Sequence, residues 1–162
     1  MTENEKGYSG GCQCGAIRFH AKALHDNPHV CHCRMCQKAT GNFFAALVGV
    51  RHENMEWTRG TPSRFRSSEH VTRGFCRDCG TPLFFQFDNG ERVSLAIGAF
   101  DEPRRIELAF QLGMEGLHPS IARLSEIPNY GTTEEEEGGE AAAAIKATNR
   151  QHPDHDTDHW PL

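Results

Sequence analysis

"VCHCRMCQKATG", residues 30–41, carries Cys31, Cys33 and Cys36, three thiols within six positions. A disulfide takes two cysteines and a closed structural zinc site takes four ligands. On an extended segment, side chains two apart lie roughly 7 Å apart along the strand, too far for an S–S bond. One loop can instead wrap a single ion with three sulfurs, leaving a coordination position open. The other cysteines decide whether that reading holds.

Four remain: Cys12 and Cys14 in "GGCQCG" (10–15), and Cys76 and Cys79 in "FCRDCGTP" (75–82). Seven thiols cannot all pair as disulfides. The C-x2-C of Cys76 and Cys79 has the form of a zinc knuckle, in which a tight turn aims both sulfurs at one ion. Gly80 supplies the positive φ such turns favour. A knuckle needs two further ligands. Cys12 and Cys14, at i and i+2 of an extended segment, face the same way and can provide them. The seven thus divide into Cys12, Cys14, Cys76, Cys79 and Cys31, Cys33, Cys36. The opposite allocation, with Cys31 and Cys33 completing the knuckle, strands Cys12, Cys14 and Cys36 as a scattered trio. An iron–sulfur cluster fits these spacings poorly, and a redox role for Cys33 and Cys36 requires an exposed, low-pKa pair without metal.

The chain has 162 residues with 37% apolar content, the size of one domain. Mean hydropathy is −0.61, so much of it is solvated. A net charge of −5 argues against a nucleic-acid partner, which needs a basic face. No apolar run approaches the roughly 20 residues of a membrane span, and "MTENEKGYSGG" (1–11) has no signal-peptide apolar region. The expected location is the cytoplasm, where thiols stay reduced.

Short apolar runs separated by turn residues predict mostly antiparallel strands: "AIRFH" (16–20), "FFAALVGV" (43–50), "SRFRSS" (63–68), "TPLFFQF" (81–87), "RVSLAIGAF" (92–100) and "RIELAFQL" (105–112). "DNG" (88–90) signals a hairpin turn, and 34–40 a short helical turn. Phe43 and Phe44 read as core. The expected fold class is all-β, with the domain ending near Gly131. Residues 132–162 form an acidic, alanine-rich and histidine-rich segment, read as a flexible C-terminal tail with a short helix in its alanine run. "EEEE" (134–137) reads as a solvated charge run.

"GGCQCGAIRF", "CHCRMCQKATG" and "FCRDCGTPLFF", in this order, resemble the glutathione-dependent formaldehyde-activating enzyme (GFA) family, the CENP-V/GFA domain. The resemblance spans residues 8–131 and includes Gly11, Gly15, Gly41, Gly80 and Pro82 beside the cysteines. It implies a Mss4-like antiparallel β-sheet domain with two Zn2+ per chain. Cys12, Cys14, Cys76 and Cys79 would hold the structural ion, and Cys31, Cys33 and Cys36 the catalytic one. His118 matches the family's late histidine. The family often carries an aromatic such as Trp after it, where this chain reads "GLHPSIARLSEIPNYG" (116–131).

Three thiolates on Zn2+ leave a formal charge of −1 and an open, thiophilic position. A thiol bound there loses its proton and can attack an aldehyde. That chemistry is a carbon–sulfur lyase or adduct-forming reaction, and the resemblance implies a zinc-dependent activity like that of S-hydroxymethylglutathione synthase, joining a glutathione-like thiol to formaldehyde or a related small aldehyde. His32, His29 and His118 are candidates to move the proton, with His32 the residue assigned to the catalytic set. The plainer reading makes His29 and His32 exposed loop residues and His118 structural. Arg34, Lys38, Arg51 and Arg73 could clamp substrate carboxylates. His152, His155 and His159 read as an adventitious metal-binding tail. A homodimer remains open. The alternative is a non-catalytic zinc module that binds a protein or thiol metabolite, favoured if a fourth protein ligand closes the trio. Zinc deamination needs a glutamate beside the cysteines, and "CHCRMC" has none.

Overall fold

The computed structural model describes residues 7–132 and 139–160; the acidic run 134–137 lies outside them. Ten strands are β1 (Tyr8–Gly11), β2 (Arg18–Ala21), β3 (His29–Cys31), β4 (Ala45–Arg51), β5 (Met55–Arg59), β6 (Ser63–Ser68), β7 (Val71–Phe75), β8 (Pro82–Phe87), β9 (Arg92–Ala96) and β10 (Phe110–Leu112). The helices are α1 (Arg34–Thr40), α2 (Pro119–Ala122) and α3 (Gly139–Thr148). No described helix is long and apolar enough to cross a membrane.

Strand alternation gives the larger sheet, of order β10-β3-β4-β9-β8-β7-β6, two different faces. Val48 lies opposite Leu95, Val50 opposite Val93 and Phe84 opposite Leu95, so these side chains share one face. They form the buried core together with Phe19 and Phe100. The smaller sheet, β1-β2-β5, covers that face. Phe19 meets Trp57 and Phe100 edge-on at centroid distances of 5.9 and 5.0 Å, and Trp57 tilts against Phe84. The intervening residues turn the other way: Arg73 opposite Phe85, Phe85 opposite Ser94, and His29 opposite Leu47. This second face carries no covering sheet, and the candidate site lies on it.

The all-β reading holds, and the helical turn at 34–40 and the turn at 88–90 sit where the sequence placed them. The 105–112 run differs. Only Phe110–Leu112 form a strand, because the chain reaches a partner only at β3. That pairing is parallel, unlike the antiparallel arrangement of every other named pair, and so departs from a wholly antiparallel sheet. Phe43 is 45% exposed, a correction to its assignment as core: it stands ahead of β4 and rests on His118 at 4.6 Å.

The segment read as a free tail also differs where it is described. His152 is 2% exposed, its backbone N–H donates to Gln13 O at 2.7 Å, and its ring meets Trp160 at 5.0 Å. Asp156 accepts from Arg18, which also makes a buried two-pronged pair with Asp101 at 2.8 and 2.6 Å. Polar, low-complexity composition hides such contacts because they rest on a few particular partners.

Candidate metal centres and the adjoining cavity

Cys12 opens the turn out of β1, which Gly15 N closes by donating to Cys12 O at 3.0 Å. The Cys12 N–H donates to Ile17 O at 3.0 Å, while its sulfur accepts from Ile17 N at 3.3 Å. Across from it, Cys76 N donates to Thr81 O and Gly80 N to Cys76 O, closing the knuckle with Gly80 at φ 80. The four sulfurs of Cys12, Cys14, Cys76 and Cys79 lie within 4.8 Å of one another, with Cys12–Cys14 at 3.6 Å and Cys14–Cys76 at 3.8 Å. Tetrahedral zinc with Zn–S near 2.3 Å has S···S edges of about 3.8 Å, whereas a disulfide needs about 2.05 Å. Burial pushes the Cys12 thiol up. Burial also opposes ionisation of Cys79, yet hydrogen bonds from Thr81 outweigh it and bring Cys79 to about 6. The Thr81 hydroxyl accepts from Gln13 N, leaving its own proton for the Cys79 sulfur. Neighbouring thiols therefore differ widely without a cation, and a divalent ion would ionise all four. The donor set fits zinc.

The trio is built by a strand-to-helix transition. Cys31 ends β3, Cys33 is the N-cap residue of α1, and Cys36 lies one turn in, buried. Their sulfurs also fall within 4.8 Å of one another, and among the described residues no fourth His, Cys, Asp or Glu joins them. Burial, reinforced by the neighbouring thiols, pushes Cys31 up to about 12. Burial acts the same way on Cys33, but hydrogen bonds to its sulfur, from the Cys36 and Met35 backbone among others, lower it. Arg73, 4% exposed, donates from Nη2 to Cys36 Sγ at 3.3 Å and from Nε to Ser67 Oγ at 3.1 Å, with its guanidinium 4.9 Å from the Phe85 ring centre. A fixed cation beside three thiolates offsets the net negative charge they would leave around a divalent ion.

A cavity of about 740 Å³ opens over the trio. The parallel register of β10 sets Phe110 beside His29 and Leu112 beside Cys31, so all four face the cavity. The His29 and Phe110 rings stack at 5.0 Å. Val71, Arg73, Phe85, Phe87, Arg92 and Ser94 form the opposite side. His29 Nδ1 lies 2.8 Å from Asn27 O, which can only accept; Nδ1 therefore carries the proton and Nε2 is the acceptor.

His32 is elsewhere. Alternation between Cys31 and Cys33 turns it to the reverse side of the strand, 1% exposed, where Nε2 lies 2.9 Å from Gln111 Oε1 and the ring meets Phe44 at 5.6 Å. It does not line the cavity. The reading of His32 as an exposed loop residue is corrected: its ring is buried and ties β10 to the end of β3. His118 is exposed, with Nδ1 accepting from Ser120 N. Of the four cations proposed as clamps, only Arg73 lines the cavity; Arg34 bonds Gln37, Arg51 faces Glu91 at 3.7 Å, and Lys38 lies on the exposed side of α1. Arg92, missed in the sequence, stands on the cavity wall. The alternation of "RVSL" (92–95) was the available signal, but it needs to be known which face is buried.

Residues 7–112 match the family model described as glutathione-dependent formaldehyde-activating enzyme. The match covers more than half of the chain, and the protein belongs to this family. A Schizosaccharomyces pombe protein described as an uncharacterized lyase is 33% identical over 86 residues, which are 52% of this chain and 61% of that one. The aligned region thus spans about three fifths of that relative's length. A Rhodobacter sphaeroides crystal structure superposes with a TM-score of 0.50 at 22% identity, covering 64% of this chain and 98% of that one, a likeness of fold.

Proposed function

We propose that this protein is a zinc-dependent carbon–sulfur lyase that makes and breaks adducts between a glutathione-like thiol and an aldehyde. In the forward direction a sulfur–carbon bond forms at the carbonyl carbon, and the thiol proton ends on the carbonyl oxygen; nothing is oxidised or reduced. The observation that carries the reading is the trio of Cys31, Cys33 and Cys36 on the floor of a cavity with no fourth protein donor among the described residues. A closed site would favour the non-catalytic module. Family membership and the lyase name of the S. pombe relative support the same class. A zinc ion on these three sulfurs would supply an open position where a substrate thiol ionises.

The chain's own residues supply the rest. Arg73 holds Cys36 and puts a positive charge beside the accumulating negative charge. His29, with Nδ1 committed to Asn27 O, offers Nε2 to exchange a proton with a group in the cavity. Phe85, Leu47 and Val71 exclude water around the reacting atoms. Cys12, Cys14, Cys76 and Cys79 would hold a second zinc that stabilises the fold. Such thiols require a reducing compartment, consistent with the cytoplasm.

Native mass spectrometry of wild type and Cys36→Ser tests the reading. Two zincs falling to one, with loss of thiol–aldehyde turnover, is the expected result. One zinc in both proteins would remove the catalytic site and leave the module.

A further inference from the structure

Twelve large apolar side chains are exposed among the described residues, and four of them, Met35, Phe87, Phe110 and Leu112, line the cavity over the trio. Exposed apolar surface gathered around one concavity marks a place where something apolar is covered. The parallel register of β10 directs Phe110 and Leu112 to one side, and β8 directs Phe85 and Phe87 to the other. Charge is sparse within this frame. Arg73 sits deep and is occupied by Cys36 and Ser67, while Arg92 and Glu91 stand together on one side.

A glutathione-like thiol carries two carboxylates and an ammonium group, which suit the Arg92 and Glu91 side. Its sulfur suits the trio. Neither accounts for the aromatic and aliphatic walls between. Formaldehyde adds a single carbon to the sulfur and would leave those walls facing water.

Resting on the lyase reading above, we propose that the aldehyde partner is a large apolar one, a medium-chain alkyl or aryl aldehyde, whose carbon skeleton lies between Phe110 and Phe87. The adduct is the sulfur-bonded carbinol of that aldehyde, formed with the thiol proton passing to the carbonyl oxygen and no redox change. Each methylene buried between these walls gains about fourfold in affinity. Burying half of a hexyl chain's five additional methylenes therefore gains roughly thirtyfold.

The test uses the full zinc-loaded chain and thioethers that cannot react. S-methylglutathione and S-hexylglutathione are titrated by calorimetry, and turnover of glutathione with formaldehyde and with hexanal is followed in parallel. The expected result is S-hexylglutathione binding at least thirtyfold tighter, with hexanal processed at the higher kcat/KM. Phe87→Ser should lose most of the chain-length gain while keeping a wild-type melting temperature, since its side chain is already 58% exposed; Phe110→Ser should lose it as well, with a lower melting temperature because its stack on His29 goes too. Equal binding of the two thioethers, with formaldehyde at least as good as hexanal, overturns the inference and leaves the lyase reading standing. Tight S-hexylglutathione binding with no turnover of any aldehyde sustains the cavity assignment and overturns the lyase reading. No binding and no turnover overturns both.

Discussion

Arg73 is a buried cation with its contacts set by three neighbours: the Cys36 sulfur, the Ser67 hydroxyl and the Phe85 ring. Replacing it with methionine fills a similar volume but removes the donor and the charge. Arg73→Met is expected to weaken zinc at the trio by roughly ten- to a hundredfold, the usual effect of losing a partner of a metal ligand. Chelator competition should find the other site unchanged. The cysteines themselves separate by role. Cys36→Ser should lose one metal and stay folded, while Cys79→Ser should unfold or aggregate, because its site joins the core cluster of Cys12 and Cys76. Equal melting temperatures for the two variants would contradict the division. These seven cysteines were legible in the sequence because metal-ligand spacing is local. Arg73 was named only as one of four candidate cations, since its burial depends on strands β7 and β8 meeting in the observed register.

At the scale of elements, β10 is the decisive piece, three residues long and held by few contacts. Gly113 follows it at φ 64, and a Cβ there would stand 2.5 Å from Cys33 N. Gln37 ties α1 to both sides of this crossing, donating to His32 O at 2.8 Å and to Gly116 O at 2.7 Å. Gly113→Ala combines the cost of a left-handed residue, about 1–2 kcal/mol, with a backbone clash. It is expected to lower the melting temperature by several degrees and to reduce zinc at the trio more than at the four-cysteine site, as read by differential scanning fluorimetry and metal analysis. A variant with wild-type stability and two zincs would show that β10 does not position the trio. The helix at 34–40 and the hairpin turn at 88–90 were readable because their signals are short-range. The parallel pairing of β10 with β3 was not, since nothing within "FQL" specifies a partner more than 75 residues earlier.

Across the whole molecule, Arg18 joins β2 to Asp101 and to Asp156 of the C-terminal segment. Burial alone would raise Asp101, but the Arg18 guanidinium and the Ser9 hydroxyl hold its carboxyl below the ordinary value. A carboxylate depressed in the folded state stabilises the protein above its unfolded pKa of about 3.9, and that contribution is lost as pH falls through the folded value. Wild type should therefore lose stability below about pH 4. Asp101→Asn should be less stable at pH 7 by about 3–5 kcal/mol, since Arg18 is left buried without its main partner, and should show a flatter acid limb in urea denaturation. Removing residues 149–162 should cost less, because Asp156 is largely exposed. Yet it uncovers Gly15 beside Cys14, where His152 and Trp160 now sit. Faster zinc loss to a chelator at the four-cysteine site, with the trio unchanged, is the expected outcome.

The sequence by itself determined which atoms could hold metal, how the seven thiols divide, and that short strands would frame them, because ligand spacing, turn glycines and apolar alternation act over a few residues. Only the tertiary structure decided what surrounds them. It turned His32 away from the cavity and His29 into it, buried Arg73 against Cys36, and drew His152 onto the domain. Those outcomes depend on which face of each strand meets which neighbour. In a sheet, a shift of one residue in register exchanges the two faces, so the cavity belongs to the assembled strands and to no single stretch of the chain.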